Sequence, residues 1–403
     1  MQKLLVLLLI FTFVSCKTET SIQKLKLGKY RATLEVMDNE ELPFIFEVET
    51  GDKLKIFNAE EVIEENNITY RNDSVFINFP VFEGYIAAVF KGDGLKGSFI
   101  IESLGYIVPF HAQFNNENRF ETLSKPNANA TGIWETKFTK ADGSKYIAKS
   151  IFQQEGNKVT GTIRTKTGDY RYLEGVMNGN VMKFSAFDGA HAFLFTATVT
   201  DSTLQGVFYS GNHSRETFVA KRNEAYKLPS ADSLTFLKEG YDTFAFSFPD
   251  ADGNMVSLED AQFKDKVVIV QIMGTWCPNC LDETRYYKTF YDRNKDKDIA
   301  FVALAFEYAK TKEKAFAGIQ RLKERVGIEY PILLAQFGSK DKGKAQEKLP
   351  MLKQLLSYPT TVIIDKKGKV RKIHTGFNGP ATGEKYISFQ KEFTAFIDML
   401  LEE

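Results

Sequence analysis

Two cysteines at a strand-to-helix junction restrict the possible folds of this chain more than any other feature. The continuous apolar run Val267–Ile272 predicts a strand that is buried on both faces. The segment Gly274–Cys280 (Gly-Thr-Trp-Cys-Pro-Asn-Cys) follows it, and Leu281–Lys295 then fits a helix. A C-x-x-C pattern in this setting is typical of a redox-active dithiol.

The position of the pair predicts different roles for its two members. A helix N-terminus has unpaired N–H groups and a dipole that stabilise an anion, so we expect the Cys277 thiolate to be the attacking nucleophile. Cys280, one turn further on, is expected to be buried and to resolve the mixed disulfide. A metal site and a fixed structural disulfide remain alternatives. The chain has only three cysteines and four scattered histidines, which disfavours the metal site.

The surrounding sequence alternates between strand and helix patterns. Besides Val267–Ile272, strands are predicted at Ile299–Phe306, Ile332–Ala335, Thr361–Ile364 and Val370–His374. Besides Leu281–Lys295, helices are predicted at Lys312–Val326, which Gly327 ends, and at Tyr386–Leu401. This alternation favours an α/β sheet that helices cover on both sides.

A second motif, Ser357–Thr361 (Ser-Tyr-Pro-Thr-Thr), lies directly before a predicted strand. Alone, it fits a trans proline at the start of a strand. Together with the C-x-x-C pair it resembles the thioredoxin fold, in which the matching proline is cis and lies against the dithiol. The resemblance implies a cis Tyr358–Pro359 bond and a groove in which an extended substrate pairs with the backbone. The residues implied for this groove are Trp276, Pro278, Asn279, Tyr358 and Thr360.

Within that superfamily, residues 242–403 resemble the TlpA/ResA-like, membrane-tethered thiol–disulfide oxidoreductases. Phe248-Pro249-Asp250, the C-P-N-C motif and Asp365–Val370 carry this resemblance. It implies that Glu283 accepts the proton of Cys280; a solvated surface glutamate is the alternative, and Glu307 is a second candidate. Thioredoxin itself has a buried Asp on the preceding strand, where this chain has Gln271. We expect neither a metal nor a cofactor.

Residues 25–222 have strand patterns and turn residues but no helical period. Two copies are indicated, because Gly28-Lys29-Tyr30 is repeated as Gly132-Ile133-Trp134, and Leu95, Gly97 and Phe99 are repeated as Leu204, Gly206 and Phe208. Chance similarity between β-rich segments is the alternative. The prediction is a multidomain chain with a duplicated antiparallel meander, each copy a barrel or sandwich of six to eight strands, before the α/β domain. The predicted boundaries are 28–123, 131–222, a linker at 223–241, and 242–403.

The N-terminus has the pattern of a targeting signal. Lys3 precedes the apolar run Leu4–Val14, which is too short to span a bilayer but has the length of a signal-peptide core. Ser15-Cys16 then resembles a bacterial lipoprotein signal, although Phe13 replaces the usual Leu. This implies removal of residues 1–15, lipid attachment at Cys16 and a tether at 16–27. An ordinary signal peptide is the alternative. Lys17 slightly favours the outer membrane over the inner membrane.

These features predict a lipid-anchored envelope enzyme that faces the periplasm and exchanges electrons with cysteine-containing proteins. A membrane or periplasmic redox donor would supply the enzyme with electrons. The absence of a cation from Pro278-Asn279 favours a reductase over an oxidant. One alternative is a lipoprotein whose β modules bind a ligand or partner. Another is a peroxiredoxin-like peroxidase, although Gly274 occupies the position of its Thr or Ser. Because Lys+Arg and Asp+Glu both number 52, we expect no nucleic-acid partner.

Overall fold

The computed structural model describes residues 22–79 and 81–403. The predicted signal peptide and lipid attachment at Cys16 lie outside the described residues. Within those ranges, no helix is long and apolar enough to cross a lipid bilayer. The described residues also form four short 3-10 helices, at Met37–Asn39, Glu102–Leu104, Ala231–Ser233 and Pro380–Thr382.

The first β module is a nine-stranded antiparallel sheet with the order β4-β3-β2-β1-β9-β8-β7-β6-β5. Its strands are Gly28–Glu35 (β1), Glu41–Thr50 (β2), Lys53–Asn58 (β3), Glu61–Glu65 (β4), Ile68–Arg71 (β5), Ser74–Asn78 (β6), Tyr85–Lys91 (β7), Gly94–Ile101 (β8) and Tyr106–Phe114 (β9). Nine strands exceed the predicted six to eight, because the chain between β3 and β6 forms two short strands. Those two strands, β4 and β5, are the edges of the sheet, although only Asn66-Asn67 separates them in sequence.

The second β module is a closed antiparallel barrel of eight strands. Its strands are Gly132–Thr139 (β10), Lys145–Glu155 (β11), Lys158–Thr165 (β12), Leu173–Asn178 (β13), Val181–Phe187 (β14), Ala192–Val199 (β15), Thr203–Ser210 (β16) and Ser214–Arg222 (β17). In each module the first strand pairs with both the second and the last. The repeated glycines, Gly28 and Gly132, both begin these first strands with positive φ, 120° and 126°. The β region is therefore duplicated, as predicted.

Aromatic side chains fill the interior of the barrel. Trp134, Phe138, Phe184 and Phe195 are at most 1% exposed. The ring of Phe195 stacks on that of Phe208 with centroids 4.4 Å apart. A barrel packed in this way stabilises itself by burying its own rings, and a ligand would have to displace them.

The α/β domain has a five-stranded sheet with the order β22-β21-β20-β23-β24 and a separate hairpin, β18–β19. The strands are Ser247–Pro249 (β18), Met255–Ser257 (β19), Val267–Met273 (β20), Ile299–Phe306 (β21), Ile332–Gln336 (β22), Thr360–Ile364 (β23) and Val370–Thr375 (β24). The helices are Pro278–Arg293 (α1), Lys312–Val326 (α2), Lys342–Lys348 (α3) and Glu384–Glu402 (α4). Strand β20 runs parallel to β21 and antiparallel to β23, and every residue of β20 is buried. This is the predicted thioredoxin-like fold.

The α/β domain packs directly against the β modules. One continuous apolar cluster contains side chains of the first module, part of the barrel and the sheet of the α/β domain. The barrel interior forms a second cluster. Residues 223–241 also lie against the α/β domain. Leu237 forms an isolated antiparallel β-bridge with Leu352, and Thr375 Oγ1 donates to Thr235 Oγ1 at 2.8 Å. The β modules and the α/β domain therefore form one packed body.

Candidate active site

The two cysteines lie where strand β20 leads into helix α1. Cys277 is the N-cap of the helix, and its Sγ accepts a hydrogen bond from the backbone N–H of Cys280 at 3.2 Å. This is the contact that stabilises negative charge on the first sulfur. Cys277 is 7% exposed and Cys280 is fully buried, which is the difference in access that the sequence predicts. Burial, followed by the hydrogen bond to Cys277, raises the pKa of Cys280 well above its usual value.

The proline motif lies directly against this dithiol. The Tyr358–Pro359 peptide bond is cis, so that prediction is confirmed. The Cys277 thiol is 3.7 Å from the carbonyl oxygen of Tyr358, to which it donates. The Pro359 carbonyl accepts from the N–H of Gly376 at 2.7 Å, which ties the loop to the end of β24. The two motifs are far apart in sequence, yet they form a single site.

Trp276 covers one side of the dithiol. Its indole N–H donates to the Phe306 carbonyl at 2.9 Å, and its ring stacks on Tyr308 with centroids 3.9 Å apart. The ring of Tyr358 meets it edge-on at 5.6 Å. Thr360, by contrast, is fully buried, and its hydroxyl donates to the Ser357 carbonyl at 2.8 Å. Thr360 thus shapes the loop from within.

A cavity of about 320 Å³ opens beside the stacked Trp276 and Tyr308 rings. Both β modules and the α/β domain line it, so it exists only because the three parts pack together. Its wall is mainly apolar and aromatic, with contributions from Phe82, Phe99, Tyr106, His213, Trp276 and Tyr308. Cavities of this size and character at domain interfaces are typical binding sites.

Glu283 is fully buried beside Cys280 on helix α1. One carboxylate oxygen accepts from Gln271 Nε2 at 2.8 Å, and the other accepts from Thr361 Oγ1 at 3.0 Å. Burial raises the pKa of Glu283 to about 7, although these hydrogen bonds oppose the rise. A carboxyl group with this pKa exchanges protons readily at neutral pH. Gln271 also donates to the Cys280 carbonyl at 3.4 Å, so it links the carboxylate to the dithiol backbone.

Glu307, the second candidate, has a different location. It is 3% exposed, and it accepts hydrogen bonds from the N–H and the hydroxyl of Thr275 at 2.8 and 2.7 Å. Burial also raises the pKa of Glu307 to about 7. Its contacts hold the loop that precedes Trp276 in position. The two glutamates have matching pKa values, but it is Glu283 whose charge raises the pKa of Cys280.

The residues between the cysteines face the barrel. Asn279 Nδ2 donates to the backbone carbonyls of Asp169 and Phe377 at 3.3 and 3.1 Å. Arg171 donates to the carbonyl of Pro278 at 3.4 Å. Asp169 and Arg171 were not predicted as site residues, and they precede helix α1 by more than a hundred residues. Their segment reads as an ordinary polar turn, so no local signal identifies them.

Comparison with known proteins agrees with this geometry. The family model described as Redoxin matches residues 238–386. The thioredoxin-like protein YneN of Bacillus subtilis (strain 168) is 30% identical over 140 residues, which cover 35% of this chain and 73% of YneN. The chain belongs to the thioredoxin-like thiol–disulfide oxidoreductases.

A curated relative and a solved structure are also similar to this oxidoreductase. The thiol-disulfide oxidoreductase ResA of Bacillus subtilis (strain 168) is 27% identical over 140 residues, covering 35% of this chain and 69% of ResA. A solved structure described as a putative protein disulfide isomerase from Bacteroides thetaiotaomicron is 21% identical, with a TM-score of 0.31. It covers 42% of this chain and 93% of that chain.

Proposed function

We propose that this oxidoreductase reduces disulfides in cysteine-containing proteins of the bacterial envelope through the C-P-N-C dithiol. The observation that supports this most directly is the N-cap contact of Cys277, which favours a thiolate on the more accessible of two adjacent cysteines. The cis Tyr358–Pro359 loop beside it offers backbone groups to an extended substrate. The resemblance to TlpA/ResA-like proteins agrees with such a role.

The reaction takes place in two exchanges. The Cys277 thiolate attacks one sulfur of the substrate disulfide, forming a mixed disulfide and releasing the first substrate thiolate, which takes up a proton. Cys280 then loses its proton and attacks Cys277 Sγ, forming the Cys277–Cys280 disulfide and releasing the second substrate thiolate. Two electrons pass from the enzyme dithiol to the substrate, and a dithiol donor in the envelope returns them.

Glu283 accepts the proton that Cys280 must lose. Cys280 is fully buried, so water cannot easily remove this proton. Glu283 is buried on the same helix, three residues further on, with a pKa of about 7. The protonated carboxyl group then returns the proton towards the leaving substrate thiolate, so no net proton remains in the buried site.

The cavity beside Trp276 and Tyr308 supports an approach of substrate between the β modules and the redox domain. We propose that the β modules form one wall of the substrate route. A ligand in the barrel interior is disfavoured, because the barrel is filled by its own aromatic rings. The N-terminal signal and Cys16 support export and lipid anchoring, with the outer membrane slightly favoured.

An insulin-reduction assay with the full chain tests the proposed activity. Wild-type protein with dithiothreitol should precipitate the insulin B chain faster than dithiothreitol alone, whereas Cys277→Ser should not. Equal rates for the two proteins would reject the proposal. Equilibration with dithiothreitol tests the direction, and a reduction potential above about −150 mV would indicate an oxidant instead.

A further inference from the structure

The barrel contacts the two residues that separate the catalytic cysteines. The connection between β12 and β13, residues 166–172, lies against the turn formed by Pro278 and Asn279. Arg171 Nη1 donates to the Pro278 carbonyl at 3.4 Å and to Asp282 Oδ2 at 2.6 Å. Asn279 Nδ2 donates to the carbonyl of Asp169 at 3.3 Å. A change in the conformation of residues 166–172 would therefore alter the position of Pro278 and Asn279 between the two cysteines.

The connection is itself held in an unusual conformation. Arg171 has a φ of 58°, in the left-handed region that is unfavourable for side chains of this size. Asp169 maintains that conformation, because one carboxylate oxygen accepts from the N–H of Arg171 at 2.9 Å. The other oxygen accepts from the N–H of Gly379 in the redox domain at 2.7 Å. The backbone strain is offset by contacts that join the barrel to the redox domain.

The side chain of Arg171 forms ion pairs with all three parts of the protein. Its buried guanidinium pairs with Glu61 of the first module, with Asp188 of the barrel at 3.3 Å and with Asp282 of helix α1 at 2.6 Å. Although burial opposes it, these three carboxylates raise the pKa of Arg171 well above its usual value. Arg171 is therefore a permanent cation at the first turn of α1, and it offsets part of the surrounding negative charge.

We propose that Arg171 is a positioning residue of the redox site, through which the barrel sets the equilibrium between dithiol and disulfide. This proposal rests on the proposed function and adds that a contact from the barrel controls the reduction potential of the dithiol. A contact shifts an equilibrium only if it favours one state. A cation beside the first turn favours the form with a thiolate at the helix N-terminus, which is the reduced form. Loss of Arg171 removes that cation and leaves the carboxylates, so the dithiol becomes more reducing.

Redox equilibration of the full chain against dithiothreitol tests this proposal. Arg171→Met should shift the equilibrium constant roughly tenfold towards a stronger reductant, which corresponds to a change of about 30 mV in the reduction potential. Arg171→Lys, which keeps the positive charge, should have a potential close to that of the wild type. A purely structural role would lower the melting temperature and leave the potential unchanged. If Arg171→Met does not fold, Asn279→Ala removes the other contact with the turn, and we expect a smaller shift in potential.

Arg325→Met provides the matched control. Arg325 of helix α2 also joins the redox domain to the first β module, donating to the Glu64 carbonyl at 2.6 Å and to Asn66 Oδ1 at 3.1 Å. Its loss should lower the melting temperature without changing the potential. The proposal is overturned if folded Arg171→Met leaves the potential unchanged, or if Arg325→Met shifts it as much as Arg171→Met. If Arg171→Met does not fold, an unchanged potential in Asn279→Ala overturns it. A wild-type chain with no reversible disulfide would overturn the proposed function as well.

Discussion

Replacement of Glu283 by glutamine should slow the second exchange specifically. The side chain keeps its size, and its amide can still bond to Gln271 and Thr361, so the fold should be retained. The proton acceptor, however, is lost. We expect release of the second substrate thiol to slow by roughly 100- to 10,000-fold at pH 7, which is the usual contribution of a positioned base. Formation of the first mixed disulfide at Cys277 should be nearly unchanged.

The structure gives the magnitude of the accompanying effect on stability. The pKa of Glu283 rises from 4.5 to about 7 on folding. Folding therefore destabilises the ionised form of Glu283 by about 3 kcal/mol relative to the protonated form. The folded protein binds this proton more tightly than the unfolded chain does. The contribution of Glu283 to stability is therefore fully present below pH 4.5 and is lost as the pH rises through about 7. Glu283→Gln should remove this part of the fall in stability and leave the part due to Glu307, measured by urea unfolding between pH 4.5 and 8.

Glu307→Gln is the matched control. Glu307 is buried to a similar extent and also has a pKa of about 7, so its replacement should change the pH dependence of stability by a similar amount. Stopped-flow release of a fluorescent thiol from Cys277, followed from pH 5.5 to 9, separates the two. The inflection near pH 7 should disappear only in Glu283→Gln. Loss of the inflection in Glu307→Gln instead would assign the base to Glu307, and an unchanged inflection in both variants would show that neither glutamate is the base.

Three further results are expected. The chain has two tryptophans, Trp134 in the barrel core and Trp276 beside the dithiol. Tryptophan fluorescence should therefore change on dithiol oxidation in Trp134→Phe but not in Trp276→Phe. The opposite result would show that Trp276 is not the indole that responds to the dithiol. Phe195→Ala should cost about 3–5 kcal/mol of unfolding free energy in denaturant titration, and a loss below 1 kcal/mol would contradict a tightly packed barrel. Ala190→Phe should fill the cavity and slow insulin reduction by roughly tenfold, equivalent to about 1.4 kcal/mol. Turnover of the small bis(2-hydroxyethyl) disulfide should remain normal, and equal loss with both substrates would argue against a substrate route through the cavity.

Local patterns in the sequence predict much of the redox domain. Strand β21 and helix α2 have the predicted bounds, because an unbroken apolar run marks the strand and Gly327 in the left-handed conformation ends the helix. Helix α1 begins at Pro278, three residues earlier than predicted. Proline is favourable in the first turn of a helix, and Cys277 supplies the cap. The two cysteines and the cis Tyr358–Pro359 bond are also predictable, because their motifs are short and their spacing is distinctive.

Contacts between distant segments were not predictable in this way. The sequence predicts a duplicated β region that precedes the redox domain, but it does not predict that the barrel contacts Pro278 and Asn279. Arg171 acts through ion pairs with residues on three parts of the chain, and each of these residues alone resembles an ordinary surface charge. The deep burial of Glu283 also depends on Gln271 and Thr361, which come together only when β20 pairs with β23.

The order of attack by the two cysteines is tested most directly by the intact mass of the Cys280→Ser chain after incubation with a peptide disulfide. If Cys277 attacks first and Cys280 resolves, this variant should accumulate one covalently bound peptide, which peptide mapping places on Cys277 and dithiothreitol removes. Cys277→Ser under the same conditions should remain unmodified. A stable adduct on Cys280 in Cys277→Ser, or none on Cys277 in Cys280→Ser, would contradict the assignment of the attacking sulfur and the mechanism built on it.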